Sequence, residues 1–242
     1  MIIAKLVAVV ILGYLLGSIP FGVLIAKRRA RVDVRQYGSG RTGTTNVLRT
    51  VGKKAAAAVA LLDILKGALA VVFAGLIISD AYLVVGDSYY WLLLSGAQVM
   101  AALAAMAGHI WPVFLKFHGG RGVATFFGGL LALCPVAAIF GGEVLLIGAG
   151  LTRFASLGSI VGVVGAYAIL APLTIMSGFP IEYLIYAFIG MVIVFVMHRD
   201  NIRRLLTGKE RKLGEKGENL SSLRPNSPDS QSSQRPQAES TE

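Results

Sequence analysis

A polar, glycine-rich segment, GSGRTGTTN, occupies residues 38–46 and follows the first long apolar run of the chain. Glycines permit main-chain conformations in which several N–H groups surround one anion, and hydroxyl and guanidinium side chains add further donors. A helix that begins after such a loop contributes the partial positive charge of its N-terminus. The segment therefore predicts a phosphate-binding loop. It supplies the glycines Gly38, Gly40 and Gly43, the hydroxyls of Ser39, Thr42, Thr44 and Thr45, and the cation Arg41, with the cation Arg49 just beyond it.

An isolated loop of this composition is more often a flexible basic connection, and the missing GxxxxGK[ST] pattern argues against a nucleotide P-loop. A second segment of the same kind, AGHIWPVFLKFHGGRGVAT at residues 107–125, strengthens the binding interpretation. In it a Gly-Gly-Arg-Gly run again precedes an apolar, helix-like stretch. The candidate ligands of this second loop are His118, Gly119, Gly120, Arg121 and Gly122.

A third polar segment, HRDNIRRLL, begins at residue 198. His198, Asn201 and Arg204 are spaced three residues apart, so a helix would present an imidazole, an amide and a guanidinium on one face. Taken alone, the segment is also typical of a solvated basic helix. Together with the two loops, which lie on the same predicted side, it indicates a site for an anionic substrate.

Other reactive arrangements are missing from the sequence. Asp63 and Lys66 stand one helical turn apart in an apolar stretch and form either an ion pair or a functional pair. Three histidines without clustered carboxylates predict no metal site, and Cys134, the only cysteine, allows no disulfide. We expect no cofactor.

The composition specifies the elements that must position these residues. Hydrophobic residues make up 55% of the 242 residues and charged residues 15%, against about 25% charged residues in soluble domains. Apolar stretches occur near residues 3–26, 54–79, 89–110, 122–151, 154–176 and 181–197. Most are long enough to cross the bilayer as helices, so an all-α, polytopic integral membrane protein is predicted.

The net charge of +10 does not indicate nucleic-acid binding. The basic residues cluster between Lys27 and Lys54 and between Arg199 and Arg224, beside apolar stretches. Such clusters follow the positive-inside rule.

Loop charge also predicts the topology. With the 27–54 connection inside, the acidic connection 80–88 lies outside and the basic connection 111–121 inside. Arg153 and the basic C-terminal region return to the inside only if residues 122–151 form two short helices, broken around Pro135 and Gly141-Gly142. We therefore predict seven transmembrane helices, some of them short, with the N-terminus outside and the C-terminus in the cytoplasm.

This topology places all three polar motifs on the cytoplasmic side. Residues 1–212 are then one transmembrane domain, and residues 213–242 are a polar cytoplasmic tail too poor in apolar residues to fold. Two other functions remain open from the residues alone. A transporter of an anionic phosphorylated metabolite would also combine glycine breaks with basic loops, and a membrane scaffold would explain the small residues within the spans.

Three motifs, in this order, carry a family resemblance. GSGRTGTTNVLRTVGKKAA with LLDILKG, GHIWPVFLKFHGGRGVAT and HRDNIRRL resemble the bacterial acyl-phosphate:glycerol-3-phosphate acyltransferases (the PlsY family) over about residues 10–212. The resemblance implies a seven-helix enzyme of the bacterial cytoplasmic (inner) membrane with its active site facing the cytoplasm. It also implies transfer of an acyl group from acyl phosphate to the sn-1 hydroxyl of glycerol 3-phosphate. The products would be lysophosphatidic acid and phosphate, in the first step of phospholipid synthesis.

The resemblance also assigns roles. It implies that Ser39, Arg49, His198 and Asn201 are the catalytic residues. It places Thr45 and Asn46 at the substrate, and it aligns Arg121 with a phosphate-binding lysine and His118 with another lysine. The expected partners are the two phosphorylated substrates and membrane lipids.

The chain departs from the family pattern at five positions: Arg41, Thr42, Thr44, His118 and Arg121. Arg41 adds a charge where the family has a neutral amide. Arg121 keeps the charge of lysine with a different geometry, and His118 carries a charge only when it is protonated.

Overall fold

The computed structural model describes residues 1–81, 87–217 and 219–220, and these residues form helices joined by short connections. An isolated antiparallel bridge pairs Tyr37 with Asn219. The helices in chain order are α1 (Ile2–Ser18), α2 (Phe21–Ala30), α3 (Thr44–Thr50), α4 (Lys53–Ile78), α5 (Asp87–Ile110), α6 (Val123–Leu133), α7 (Pro135–Thr152), α8 (Ala155–Ser177), α9 (Ile181–Met197) and α10 (Arg199–Leu206). Three-residue 3-10 turns occupy Val34–Gln36, Ser79–Ala81 and Val113–Leu115. The predicted all-α class is confirmed.

Five helical segments are long and apolar enough to cross a membrane. They are Ile2–Ala30, Lys53–Ala81, Tyr89–Leu115, Pro135–Thr152 and Ala155–Ser177. A sixth candidate joins α9 to α10 across a bend of 60°. Because α10 contains three arginines and an aspartate, we take Met197 as the end of the apolar part.

The predicted break in the 122–151 stretch is present at Pro135. Proline has no N–H and its ring clashes with the preceding turn, so α6 ends at Leu133 and Pro135 opens α7. The second predicted breakpoint is wrong, because Gly141 and Gly142 lie inside α7. The two helices are therefore unequal, with 11 and 18 residues. At 1.5 Å per residue, α6 is only about 16 Å long.

Small residues allow close contacts between three helix pairs. A Cβ at Gly17 would overlap the main chain at Ala105, which brings α1 against α5. A Cβ at Gly128 would overlap Ile64 of α4, and one at Gly158 would meet Ala149 of α7. These contacts confirm the packing role expected of glycines within the spans.

Several polar side chains inside the helix bundle are paired with one another or with the main chain. Lys66 Nζ lies 2.7 Å from Asp63 Oδ1, which confirms the ion pair, and it also donates to the Ile19 carbonyl at 3.3 Å. Gln98 Oε1 accepts a hydrogen bond of 3.1 Å from the Tyr183 hydroxyl. The Tyr186 hydroxyl donates to the Phe126 carbonyl at 2.9 Å and so joins α9 to α6.

At the end of the bundle opposite the three polar motifs, Lys5 of α1 forms an ion pair with Asp80. The rest of the predicted outer connection, residues 82–86, lies outside the described residues. The predicted tail lies largely outside them as well. Residues 213–217 and 219–220 are described, and they contact the first glycine-rich loop.

Candidate active site

Asn46 organises the first glycine-rich loop from within. Its side chain, in a residue only 2% exposed, donates through Nδ2 to the carbonyls of Val34 (2.9 Å), Tyr37 (3.0 Å) and Arg41 (2.8 Å). Its Oδ1 accepts from the Ser39 N–H at 3.0 Å. Both amide hydrogens are thus directed to main-chain oxygens, which leaves none for a phosphate.

Glycine is required at the first position of this loop. Gly38 has φ +56°, and a Cβ there would collide with Asn46 Oδ1. Gly40 also has positive φ, and its N–H donates to the Tyr37 carbonyl at 3.0 Å. Gly43 precedes α3, and its carbonyl accepts from the N–H groups of Asn46 and Val47.

The side chains of this loop leave several donors free. Among the described residues, no hydrogen-bond partner faces the hydroxyls of Ser39 and Thr45 or the guanidinium of Arg41. All three residues are partly exposed. The buried Thr44 hydroxyl also has no partner in the described part of the chain. This surface of the loop is therefore rich in unused donors.

Two glycines of the second loop, Gly119 and Gly120, use their N–H groups within the main chain. The Gly119 N–H donates to the Ile110 carbonyl and the Gly120 N–H to the His109 carbonyl, both at 3.0 Å. A Cβ on Gly120 would overlap the His109 imidazole. The expectation that these two N–H groups bind phosphate is therefore corrected, because both are already used. Gly122, with φ +83°, begins α6.

A buried cluster supports the second loop from the membrane side. His109 Nδ1 lies 3.5 Å from Asp63 Oδ1, the carboxylate that also pairs with Lys66. The His109 side chain is 6% exposed. This cluster fixes the ring against which Gly120 packs.

Arg121 lies where the three polar segments meet. Burial, together with the neighbouring cations Arg41, Arg204 and Arg49, lowers its pKa to about 10, while Glu210 opposes this shift. Its Nε is buried and has no hydrogen-bond partner among the described residues. A guanidinium among like charges with an unpaired donor favours an anionic ligand.

His198 links α9 to α10 and is 2% exposed. Its Nδ1 lies 2.8 Å from the Val194 carbonyl. Since a carbonyl only accepts, Nδ1 carries the hydrogen and Nε2 has the free lone pair. Burial and the nearby Arg121 lower the pKa of His198 to about 4, so the ring is neutral at pH 7.

Asn201 joins a cluster that the sequence reasoning did not anticipate. Its Nδ2 donates to Glu210 Oε1 at 2.7 Å, and the Ser156 hydroxyl donates to the same oxygen at 2.7 Å. Arg204 Nε donates to Glu210 Oε2 at 2.8 Å. Burial alone would raise the pKa of Glu210, but these three hydrogen bonds lower it, so the carboxylate is ionised. The Asn201 Oδ1 is buried and has no partner among the described residues.

Arg49 is held by the residues that follow α10. Its Nη2 donates to the carbonyls of Arg211 (3.0 Å) and Lys212 (3.4 Å), and its own carbonyl accepts from the Gly217 N–H at 3.1 Å. Its Nε is buried and has no partner in the described part of the chain. Burial, then the proximity of Arg211, lowers the pKa of Arg49.

The structure thus brings most of the predicted residues to one polar region. Shared electrostatic effects connect Arg41, Arg49, Arg121 and His198, and hydrogen bonds add Asn201. His118 is exposed, and its Nδ1 donates to the carbonyl of Lys116, two residues away. No contact in the described structure joins His118 to the other candidates.

Ser156 and Glu210 are the residues that the sequence analysis missed. Glu210 is a single acid within a run of basic residues, KERK, which was the available signal. Ser156 carries no comparable signal, because it is simply the second residue of an apolar helix, α8. Its role depends on a contact across 54 residues of sequence.

The chemistry of the region is that of an anion site beside hydrogen-bond acceptors. In the described part of the chain, no group of three His, Cys, Asp or Glu residues is arranged to hold a metal ion. Guanidinium groups and hydroxyls provide donors. The Nε2 of His198 and the Oδ1 of Asn201 provide acceptors suited to an alcohol hydroxyl.

Comparison with known proteins identifies relatives along nearly the whole chain. The family described as Glycerol-3-phosphate acyltransferase matches residues 7–208. A "Glycerol-3-phosphate acyltransferase 3" of Dehalococcoides mccartyi (strain CBDB1) is 68% identical over 216 residues, covering 89% of this chain and 99% of the relative. A "Glycerol-3-phosphate acyltransferase" of Halalkalibacterium halodurans is 42% identical over 209 residues, covering 86% and 96%.

The fold also matches a solved structure. The crystal structure of PlsY (YgiH), an integral membrane glycerol 3-phosphate acyltransferase, in its glycerol 3-phosphate form, aligns with a TM-score of 0.71 at 38% identity, covering 86% of this chain and 96% of that chain. The lysophosphatidic acid form aligns with a TM-score of 0.70. Sequence and fold therefore agree that this chain belongs to the glycerol-3-phosphate acyltransferase family of integral membrane proteins.

Proposed function

We propose that this protein transfers an acyl group from acyl phosphate to the sn-1 hydroxyl of glycerol 3-phosphate. The observation that carries the proposal is that His198, whose Nε2 has the lone pair, lies near the guanidinium of Arg121, and that the Oδ1 of neighbouring Asn201 has no partner among the described residues. An alcohol that carries a phosphate satisfies both requirements, since its hydroxyl donates to the acceptors and its phosphate neutralises the cations.

The charge of the site supports two phosphorylated substrates. Acyl phosphate and glycerol 3-phosphate together carry roughly −3 to −4 charges near neutrality, because a phosphate monoester has a second pKa of about 6. Arg41, Arg49 and Arg121 provide three fixed cations. The lowered pKa of Arg121 reflects their mutual repulsion as well as burial, and bound phosphate would relieve that repulsion.

The reaction needs no covalent enzyme intermediate, because acyl phosphate is already an activated mixed anhydride. The sn-1 oxygen bonds to the acyl carbon, and the bond from that carbon to the phosphate oxygen breaks. Inorganic phosphate leaves with the electron pair of that bond. The protein orients the hydroxyl, stabilises the developing oxyanion and neutralises the leaving phosphate. We assign the free Ser39 hydroxyl to the oxyanion and Arg121, with Arg41, to a phosphate.

The proton of the hydroxyl has two candidate acceptors, a substrate phosphate and His198. A neutral imidazole whose conjugate acid has a pKa of about 4 is a weak base. A phosphate dianion, with a pKa of about 6, is a stronger one. We therefore assign the proton to phosphate and the orientation of the hydroxyl to His198 and Asn201. If His198→Ala abolished a pH dependence centred near pH 4, the histidine would be the base instead.

The structure changes the roles proposed for three predicted ligands. Asn46 is proposed to shape the first loop, since its amide is fully used within it. Gly119 and Gly120 are proposed to place Arg121 by packing against His109. Thr45 and the remaining loop glycines stay candidates for phosphate contact, and His118 stays a candidate at its margin.

Seven spans, with the N-terminus outside and the C-terminus in the cytoplasm, remain our proposed topology. The five long segments, α9 and the short α6 together supply seven apolar helices. The Lys5–Asp80 ion pair supports the antiparallel arrangement of the first two spans, because it puts the start of α1 and the end of α4 on one side. The site would then face the cytoplasm of a bacterial inner membrane. Residues 1–212 are proposed as the catalytic domain and 213–242 as its tail.

An assay of purified protein in detergent with palmitoyl phosphate and glycerol 3-phosphate tests the function. Lysophosphatidic acid and phosphate should form in equal amounts, and acyl-CoA should not replace the acyl phosphate. Ser39→Ala and Arg49→Ala should each lower the rate about a hundredfold, as expected for loss of a transition-state donor. No product with any acyl donor would refute the enzyme and favour transport of a phosphorylated metabolite.

A further inference from the structure

Residues 209–217 extend beyond the part of the chain that matches the family, which ends at residue 208. This segment, here called the C-terminal segment, crosses the polar region and is anchored on both sides. The Leu213 N–H donates to the Arg153 carbonyl at 2.7 Å, and the Gly217 N–H donates to the Arg49 carbonyl at 3.1 Å. Gly217 also packs against Gly38 of the first loop, where an added Cβ would lie 3.5 Å from the Gly38 Cα.

An open cavity of about 420 Å³ lies between Arg49 and the C-terminal segment. Its lining consists of Arg49, Arg211, Glu215, Lys216 and Gly217. The volume falls in the range of small-molecule sites, about 300–1,000 Å³. Among the described residues, three cations and one carboxylate form the lining and no apolar side chain contributes to it, which suits a small, water-soluble anion rather than an acyl chain.

Arg49 provides the second observation that points to a ligand. Its Nη2 is occupied by two main-chain carbonyls of the C-terminal segment, while its Nε is buried and unpaired in the described structure. A buried unsatisfied donor costs about 1–3 kcal/mol, and more for a charged group. The nearby Arg211 also lowers the pKa of Arg49. An anion in the cavity would separate the like charges of Arg49 and Arg211.

The charges of the site therefore fall into two groups. Arg41 and Arg121 influence each other across the two glycine-rich loops. Arg49, Arg211 and Lys216 surround the cavity beside them. The proposed reaction brings two phosphate groups together, so each group of cations has a phosphate to bind.

We propose that Arg211 and Lys216 bind the phosphate of the acceptor substrate, glycerol 3-phosphate, in the cavity completed by Arg49. This proposal rests on the proposed acyltransferase function. It extends the substrate site into the C-terminal segment, past the end of the family match. The acceptor, rather than acyl phosphate, is assigned because the lining offers nothing to an acyl chain.

The test is steady-state kinetics of the full chain with each substrate varied in turn. The double variant Arg211→Gln/Lys216→Gln should raise the KM for glycerol 3-phosphate about three- to tenfold, which corresponds to partly exposed charge pairs. The KM for palmitoyl phosphate and kcat should stay unchanged. Glu215→Gln should act in the opposite direction and lower the KM for glycerol 3-phosphate.

The double variant Arg28→Gln/Arg29→Gln is the matched control. It removes the same charge from exposed positions at the end of α2 and should leave both KM values unchanged. Thermal unfolding in detergent should show equal stability for all variants, because the substituted side chains are exposed.

Four results would overturn the proposal while leaving the acyltransferase function intact. They are a higher KM for palmitoyl phosphate alone, a change in kcat at constant KM, equal changes in the control, or an unchanged KM for glycerol 3-phosphate in both the double variant and Glu215→Gln. Absence of product from the wild-type protein would instead refute the function itself.

Discussion

Asn201 directs its amide nitrogen to Glu210 at 2.7 Å and thereby turns its own carbonyl oxygen away from that carboxylate, into a buried position where it has no partner among the described residues. A primary amide has donors at one end and an acceptor at the other. The carboxylate of Glu210, which only accepts, therefore determines which end of Asn201 a substrate meets. This relationship makes Glu210 a positioning residue.

Glu210→Gln is expected to lower kcat about ten- to hundredfold, because a glutamine amide no longer forces Asn201 to donate to it. The KM for palmitoyl phosphate should change little. Steady-state kinetics of purified protein would measure both constants. Asp200→Asn is the control, because Asp200 is exposed and lies on α10, the helix that also carries Asn201. This variant should behave like the wild type. A kcat equal to that of the wild type in Glu210→Gln would show that the carboxylate does not orient Asn201.

His198 should make stability depend on pH. Burial depresses its folded pKa to about 4, below the usual 6.5. Between these values the unfolded chain binds more protons than the folded protein, so acidification favours unfolding. The free energy of unfolding should therefore fall by about 3 kcal/mol as the pH decreases from 6.5 to 4. Above pH 6.5 this contribution should be constant.

Thermal unfolding in detergent across this pH range, with wild type and His198→Gln compared, would measure the effect. The variant should lose this part of the acid sensitivity, while sensitivity due to carboxylates remains in both proteins. Parallel curves for the two proteins would contradict a neutral, buried histidine.

Arg121 should be replaceable by lysine but not by a neutral side chain. Arg121→Lys keeps the charge facing the phosphate, so we expect a loss of less than about tenfold in kcat/KM. Arg121→Gln should lose about a hundredfold or more. Arg203→Gln, an exposed arginine of α10, is the matched control. Equal losses for lysine and glutamine would mean that guanidinium geometry matters more than charge.

Asn46 should matter through loop structure. Asn46→Asp places a carboxylate against three carbonyl oxygens, whereas Asn46→Ala only removes the donors. We expect the aspartate variant to be destabilised by about 3 kcal/mol or more and to be less stable than the alanine variant. Thermal unfolding of both variants would measure this order. The reverse order would indicate that the amide faces a ligand instead of the loop main chain.

The sequence predicted features that depend on local chemistry. Pro135 breaks a long apolar stretch because of its ring, wherever the neighbouring helices lie. Asp63 and Lys66 pair because a helix places positions three apart on one face. The meeting of the three polar segments also followed from loop charge and helix count.

Features that depend on how hydrogen bonds are distributed were not predictable. The GSG and HGGRG runs look equivalent in sequence. In the structure, however, the Gly119 and Gly120 N–H groups donate to the main-chain carbonyls at the end of α5. Asn46 has a side chain that could bind a ligand, but its hydrogen bonds go to main-chain atoms of the loop and of the turn before it. Predicting the hydrogen bond between Ser156 and Glu210 would require the relative positions of α8 and the C-terminal segment, which no local sequence pattern specifies.

The position of Glu210 in the chain also bears on how the enzyme is made. A ribosome completes every apolar helix of this protein before it adds the glutamate that orients Asn201. A chain interrupted after α10 would contain both glycine-rich loops, His198 and Asn201, but its amide would have no carboxylate to fix it. Biosynthesis therefore leaves the site incomplete until the membrane part has been synthesised.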